Sequence, residues 1–284
     1  MSQPLPPGLR VIRAENPSPM TLDGTRTCIV GRDRPAVIDP GPADPGHIRA
    51  LERELDGVAP VAILLTHGHA DHAGAAPALA AGTGAPVLPS AAAGSAGRAP
   101  RDFQVETDAG TLRALATPGH TPDHLAFHWT GPALPAGGVL FVGDLLMGSG
   151  DTTLVAPPEG DLDDYLRSLD LVEAVGAALL VPTHGEPLAE PGAAIRRFRE
   201  HRLQRCAQVE KALARPGLRD LDELVREVYG PALPRELRGA ARGSLEAVLH
   251  HLVRSGRIDP ATAAAYTPRD RPAPARGRES QEFQ

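Results

Sequence analysis

A chain of 284 residues, 42% of them hydrophobic and with a formal net charge of −6, has room for one large domain and a small appended one. No stretch approaches the roughly 20 apolar residues of a membrane span, and Met1-Ser2-Gln3-Pro4-Leu5-Pro6-Pro7 lacks the basic-then-apolar order of a secretory leader, so a cytoplasmic enzyme without membrane contact is expected. Cys28 and Cys206 are far apart and outside any C-x-x-C spacing, which argues against a disulfide framework and against a cysteine zinc site.

After a flexible stretch over residues 1–8, five apolar runs each close on Gly, Pro, Asp or His. They are 36–38 before Asp39-Pro40-Gly41, 61–65 before Thr66-His67-Gly68-His69-Ala70-Asp71-His72, 112–116 before Thr117-Pro118-Gly119-His120, 139–142 before Gly143-Asp144, and 178–181 before Pro182-Thr183-His184. Helical periodicity lies between them at 48–55, 73–81 and 162–175, the last with Asp161 placed as its N-cap. The alternation predicts an α/β protein with layered helices. In a sheet whose strands share a direction, the residues closing each run lie along one rim.

Beyond Pro191 the texture changes to three helical patterns, 193–214, 221–229 and 235–254. The last ends at Ser255-Gly256 and is followed by Arg257-Ile258, the order in which a winged-helix domain passes from its final helix into its wing. The expected organisation is a catalytic domain over 9–190, a winged-helix-like helical domain over 191–266 and a disordered tail over 267–284, rich in Pro, Arg and Glu. Charge divides the same way: residues 1–186 hold 11 Arg against 22 acidic residues, and residues 187–284 hold 17 Arg and one Lys against 13. Arg196, Arg197, Arg199, Arg202 and Arg205 recur at helical spacing, which reads first as a solvated face. A winged helix would favour nucleic acid, whereas an aromatic content of 3% leaves few rings on which single-stranded bases could stack. The module is alternatively expected to form a homodimer or to cover the active-site mouth.

The densest chemistry lies in residues 67–72, which place three imidazoles and a carboxylate within six residues. Neutral His nitrogens and carboxylate oxygens are ligands for zinc and similar cations. With His120, Asp144 and His184 the candidates become five imidazoles and two carboxylates, enough for two divalent ions about 3.5–4 Å apart with one carboxylate between them. Zinc is expected first, and manganese and iron accept the same donors. His47, His128, His250 and His251 lack motif support and read as ordinary residues.

H-x-H-x-D-H at 67–72, P-G-H-T at 118–121, G-D at 143–144 and T-H-G at 183–185 together resemble the metallo-beta-lactamase superfamily. The resemblance implies a four-layer αβ/βα sandwich in which His67, His69 and His120 bind one ion, Asp71, His72 and His184 bind the second, and Asp144 bridges them. Asp39 matches a position that buttresses the ligands from behind. Members that hydrolyse beta-lactams usually carry Cys or Ser at the place of Asp144, and flavodiiron members carry Glu at the place of His69. Only 39 residues separate Asp144 from His184, too few for the inserted domain of RNA 3′-processing nucleases.

A narrower resemblance rests on Asn16-Pro17-x-Pro19-x-Thr21-Leu22-x-Gly24-Thr25, on Pro118 to His124, and on His201-Arg202-x-x-Arg205-x-x-Gln208-Val209. These are similar to the beta-lactamase-like protein 2 family, which joins the hydrolase domain to a C-terminal winged helix and includes single-stranded RNA endonucleases. Arg26 and Cys28 stand where relatives commonly have Asn and Tyr, a departure that bears on substrate preference. The expected mechanism has two cations lowering the pKa of a shared water, so that a bridging hydroxide attacks the substrate. Asp71 is expected to orient that hydroxide, and His124 to reach the substrate oxygen as an electrophile or acid. Cleavage of single-stranded RNA is the first expected activity. Hydrolysis of a small thioester or lactone is the second, and a nucleic-acid-binding regulator with a vestigial catalytic half is the third.

Overall fold

Strands that are apolar on both faces must be covered on both. The computed structural model, which describes residues 5–88, 103–215, 217 and 220–266, places the five apolar runs in two five-stranded sheets. The first has the order β1 (Leu9–Arg13), β2 (Arg26–Val30), β3 (Ala36–Ile38), β4 (Ala62–Leu64), β5 (Val87–Leu88). The second has the order β10 (Leu179–Pro182), β9 (Val139–Gly143), β8 (Leu125–Thr130), β7 (Gly110–Ala116), β6 (Gln104–Thr107). One sheet of uniform direction, the basis of the rim argument, therefore does not form. β3, β4 and β5 pair in parallel, as do β9 and β10, and the remaining pairs are antiparallel. What survives is narrower: β3, β4, β7, β9 and β10, the strands that close on polar residues, all finish at the same end of the sandwich.

Period-two alternation separates the layers. Val30, Leu64, Phe127, Trp129 and Phe141 fill the space between the sheets. Ile29, Val37 and Ile63 pack outward against α1 (Pro45–Leu55) and α3 (Ala76–Thr83). Leu140, Val142 and Leu180 pack outward against α4 (Leu162–Val175). The result is helix, sheet, sheet, helix. Asp161 caps α4 by accepting from the Asp163 and Asp164 N–H groups at 2.9 and 3.0 Å, and Gly176 ends it in the left-handed region at φ 66°. Its Tyr165, Leu169 and Val172 are buried, each such side chain contributing about 1.5–3 kcal/mol.

α5 (Pro191–Leu213), α6 (Leu221–Tyr229), α7 (Arg238–Arg254) and α8 (Pro260–Ala264) complete the chain, with a 3-10 turn at Arg235–Leu237 leading into α7. Phe198, Leu224, Leu245, Val248 and Leu252 share one buried cluster with Tyr165 and Leu169, so these helices dock on the outer layer of the second sheet. The region after α7 differs from the expected wing. Arg257 and Ile258 both donate to the Leu252 carbonyl, at 2.9 and 3.3 Å, and α8 follows with Asp259 as its cap. No wing strand occurs among the described residues.

The arginine row of α5 is also not an open solvated face. Arg202 is 2% exposed, Arg199 pairs with Asp170 and Glu173 at 2.7 and 2.9 Å, and Arg197 Nε donates to the Gly150 carbonyl at 2.8 Å. Of the flexible stretch expected over 1–8, residues 1–4 lie outside the described ones, while the carbonyls of Pro6 and Gly8 already accept backbone bonds from Leu9 and Gly31. The tail expected over 267–284 also lies outside them. No helix among the described residues is long and apolar enough to cross a membrane.

Candidate metal centre

The protonation pattern of three imidazoles can be read from what binds their outer nitrogens. His120 Nδ1–H donates to the Leu154 carbonyl at 2.7 Å, leaving Nε2 as a lone pair. His69 Nε2–H donates to Glu159 at 3.0 Å, leaving Nδ1. His67 Nδ1–H donates to Thr66 Oγ1 at 3.1 Å, whose own proton goes to Asp39, leaving Nε2. The three free lone pairs meet: His67 Nε2 lies 2.9 Å from His69 Nδ1, which lies 3.1 Å from His120 Nε2. Lone pairs at that separation repel unless a cation sits between them.

The second group follows the same logic. His72 Nδ1–H donates to Asp39 at 2.8 Å and His184 Nδ1–H to the Gly24 carbonyl at 3.2 Å, so each turns its Nε2 inward. Asp71 Oδ2 lies 3.2 Å from His184 Nε2 and 3.6 Å from His72 Nε2. Asp144 stands between the groups, with Oδ1 3.4 Å from both His72 and His184 Nε2 and Oδ2 3.6 Å from His120 Nε2. Contacts of 3.4–3.6 Å are long for hydrogen bonds, and His72 Nε2, His184 Nε2 and Asp144 Oδ1 are buried without a hydrogen-bond partner. Orphaned buried donors and acceptors of this kind are costly. Two divalent cations fit them, one facing His67, His69 and His120 and one facing Asp71, His72 and His184.

The electrostatics agree. Burial pushes His67 and His120 below the usual histidine range, which keeps both neutral and able to bind a cation. At His72 burial works the same way, but Asp144 and Asp39 outweigh it and raise the imidazole well above its ordinary value. Burial opposes charge on Asp144, and His72, His184 and His120 together hold it well below the carboxylate range. These carboxylates draw positive charge to the same nitrogens whether it arrives as a proton or as a metal ion, and a metal ion displaces the proton.

Local backbone explains why these sequences suit the positions. Asp39 adopts φ 47° in the turn after β3, and its buried carboxylate accepts from Thr66 N and Oγ1, His72 Nδ1 and Thr183 Oγ1 at 2.7–2.8 Å. Gly119 has φ 141°, and a Cβ there would lie 2.4 Å from the Tyr165 Cα, so the turn before His120 packs on α4 only as glycine. α2 (Ala70–Ala73) is a single turn that carries Asp71 and His72 together.

One expectation needs correction. His124 is 1% exposed, and both ring nitrogens are used: Nδ1–H donates to Thr117 Oγ1 at 2.8 Å, and Nε2 accepts from the Asp144 N–H at 3.2 Å. Burial lowers its pKa to about 3. A neutral imidazole held behind Asp144 does not reach a substrate oxygen; it fixes the Asp144 backbone, and Gly143 leaves it room, since a Cβ there would lie 2.6 Å from Nε2.

Above the ligands lies a cavity of about 340 Å³. His69, Asp71, His120 and Asp144 line it together with Met20 and Met147, and the C-terminal helices supply His201, Arg205, Tyr229, Leu233, Leu237 and Ser244. Sequence reasoning offered a module that covers the active-site mouth as one alternative without placing these side chains, and it missed Glu159 and the Leu154 carbonyl as partners of His69 and His120. Arg26 instead binds Asp23 at 2.8 Å and Glu186 at 2.6 Å, and Cys28 is buried between the sheets, so neither lines the cavity.

Arg202 joins the two parts of the chain. Its guanidinium lies 5.1 Å from the Tyr165 ring centre and donates to Ser244 Oγ at 3.3 Å and to the Thr153 carbonyl. Thr153 adjoins Leu154, whose carbonyl holds His120. The helical module thus supports a candidate ligand through the loop between them.

Comparison with known proteins follows the same division. A family model described as the metallo-beta-lactamase superfamily matches residues 26–184, and one described as a beta-lactamase associated winged helix domain matches residues 221–263. The chain is 35% identical over 241 residues to an atrochrysone carboxyl ACP thioesterase of Aspergillus chevalieri, covering 78% of this chain and 73% of that protein. It is 28% identical over 261 residues to a beta-lactamase-like protein 2 homolog of Caenorhabditis elegans, covering 87% and 85%. A solved structure of a beta-lactamase domain protein from Burkholderia ambifaria superposes with a TM-score of 0.71 at 25% identity, covering 90% of this chain and 88% of that one.

Proposed function

Because the chain belongs to the metallo-beta-lactamase superfamily of metal-dependent hydrolases, we propose that it hydrolyses small acyl substrates, thioesters first and lactones second. The observation that carries this reading is the cavity of about 340 Å³ that the candidate ligands share with Met20, Met147, Leu233 and Leu237. A bounded apolar space beside a few convergent polar groups suits an acyl chain. Single-stranded RNA asks for something else, an open cationic groove with exposed rings. On α5 the guanidiniums of Arg197, Arg199 and Arg202 are engaged within the protein. The similarity to a protein named as an ACP thioesterase supports the same choice.

In this reading His67, His69, His120, Asp71, His72, His184 and Asp144 would hold two divalent cations, zinc first. Such a pair, when bound, would supply Lewis acidity toward an acyl carbonyl and toward water near neutral pH. Asp71 lines the cavity, and its carboxylate accepts the proton of the attacking water and orients it. His124 acts on substrate only through Asp144, whose backbone it fixes. Asp39 orients His72 directly and His67 through Thr66. The apolar wall limits competing water around the scissile bond.

The test is a panel of acyl thioesters, lactones and end-labelled single-stranded RNA offered to metal-loaded protein, with Asp144→Ala prepared identically. Thioester turnover that disappears in the variant, with RNA left intact, is the expected result. RNA cleavage that disappears in the variant, with no acyl turnover, overturns the proposal.

A further inference from the structure

The geometry points to Arg205 as an anion anchor in the cavity, and so to a preferred acyl group that carries a carboxylate remote from the scissile carbonyl. This rests on the acyl-hydrolase reading above and narrows it. Arg205 lies on α5 one turn beyond His201 and lines the cavity beside Tyr229 and Leu233. Its guanidinium carbon stands 4.3 Å from the centre of the Tyr229 ring, and Nη1 donates to Gln208 Oε1 at 2.8 Å and to the Val228 carbonyl at 3.3 Å. These neutral contacts fix the guanidinium plane without neutralising its charge.

Among the described residues Arg205 has no carboxylate partner. In the same part of the chain Arg199, Arg215, Arg242, Arg254 and Arg257 each meet an Asp or Glu. Arg196, Arg197 and Arg202 of α5 also meet no carboxylate among the described residues, but of these arginines it is Arg205 that lines the cavity, where a substrate would sit. A planar guanidinium held by stacking presents two parallel N–H donors, the geometry that takes a carboxylate bidentately. The candidate metal ligands line another part of the same cavity, so an acyl chain with its carbonyl there can send a distal carboxylate toward α5.

Two measurements test the assignment on metal-loaded protein. The first compares binding of two non-hydrolysable thioether analogues, one ending in a carboxylate and one in its methyl ester, by calorimetry across a series of chain lengths. The second compares kcat/KM for the matching thioesters. At the best chain length wild type should favour the acid by roughly ten- to a hundredfold, the range of one charge-assisted hydrogen-bonded contact. Arg205→Met should abolish that preference in both measurements, and Arg205→Lys, which keeps charge but not the fork, should restore part of it. An acid analogue that binds no better than its ester to wild type, or a preference that Arg205→Met leaves in place, overturns the anchor. A binding preference that needs Arg205, in a protein that turns over no thioester, sustains the anchor and sinks the acyl-hydrolase reading instead.

Discussion

The two walls of the cavity are built by different rules. The ligand wall comes from strand ends, where short motifs such as residues 66–72 place several donors on one turn and the sheets bring distant turns together. The helical wall comes from single side chains on α5, α7 and the segment around Tyr229 to Leu237, and of these the sequence motif at 201–209 covers His201 and Arg205 alone. Reactivity is thus encoded in dense local spacing, whereas the fit to substrate is encoded in which helix face happens to turn inward. A change in the first wall should alter whether the protein reacts at all, and a change in the second should alter what it reacts with.

The comparison is open to attack at several points. Asp144→Ala removes the one carboxylate that, among the described residues, faces both groups of candidate ligands, and should lower turnover by about 10³-fold or more and leave fewer than two metal ions per chain on elemental analysis. Asp39→Asn keeps every candidate ligand but loses the charge behind Thr66, His72 and Thr183. Metal affinity should fall by roughly 10- to 100-fold in competition with a chromogenic chelator, the usual cost of losing an outer partner. Unchanged affinity would mean that the ligands orient themselves.

Leu237→Ala probes the other wall. It should reduce kcat/KM for a long-chain thioester by about tenfold relative to acetyl thioester, with metal content unchanged; an equal loss on both substrates would erase the distinction between the walls. The smallest effect concerns docking of the helices. Burial opposes charge on Asp163, but its bonds from His251 and Arg254 prevail and hold it below its ordinary 3.8. A carboxylate depressed in the folded protein contributes stability above pH 3.8 that is lost as pH falls through its folded value. Asp163→Asn should therefore flatten the acid side of the stability–pH curve, by about 1 kcal/mol or less, measured by urea denaturation at stepped pH.

Much of the fold was legible because the five runs that close on polar residues are also the five strands that end at the site. Strands that begin there or run away from it escaped the reading. β8 starts beside His124, and its Leu125, Phe127 and Trp129 alternate inward without any closing turn to mark them. Mixed strand direction was hidden as well, since the apolar pattern of a strand covered on both faces is the same in either pairing. The seven candidate ligands were legible as donor types at turn positions. The role of His124 was not, because sequence places it four residues from His120 and says nothing about which way its ring faces. Arg202 misled for a related reason: helical periodicity marked a basic stripe but not the Tyr165 ring and Thr153 carbonyl that bury one member of it.

Asp39 has a consequence for how the two sheets meet at the site. One oxygen of a single buried carboxylate gathers Thr66 beside β4, His72 on α2 and Thr183 at the end of β10. The two sheets are therefore keyed together at the site by the protein's own hydrogen bonds. Zinc fingers, by contrast, fold only around their ion. Here the inward nitrogens of His67 and His72 are aimed by hydrogen bonds within the protein that do not involve a cation, so part of the ligand geometry is set by the fold itself.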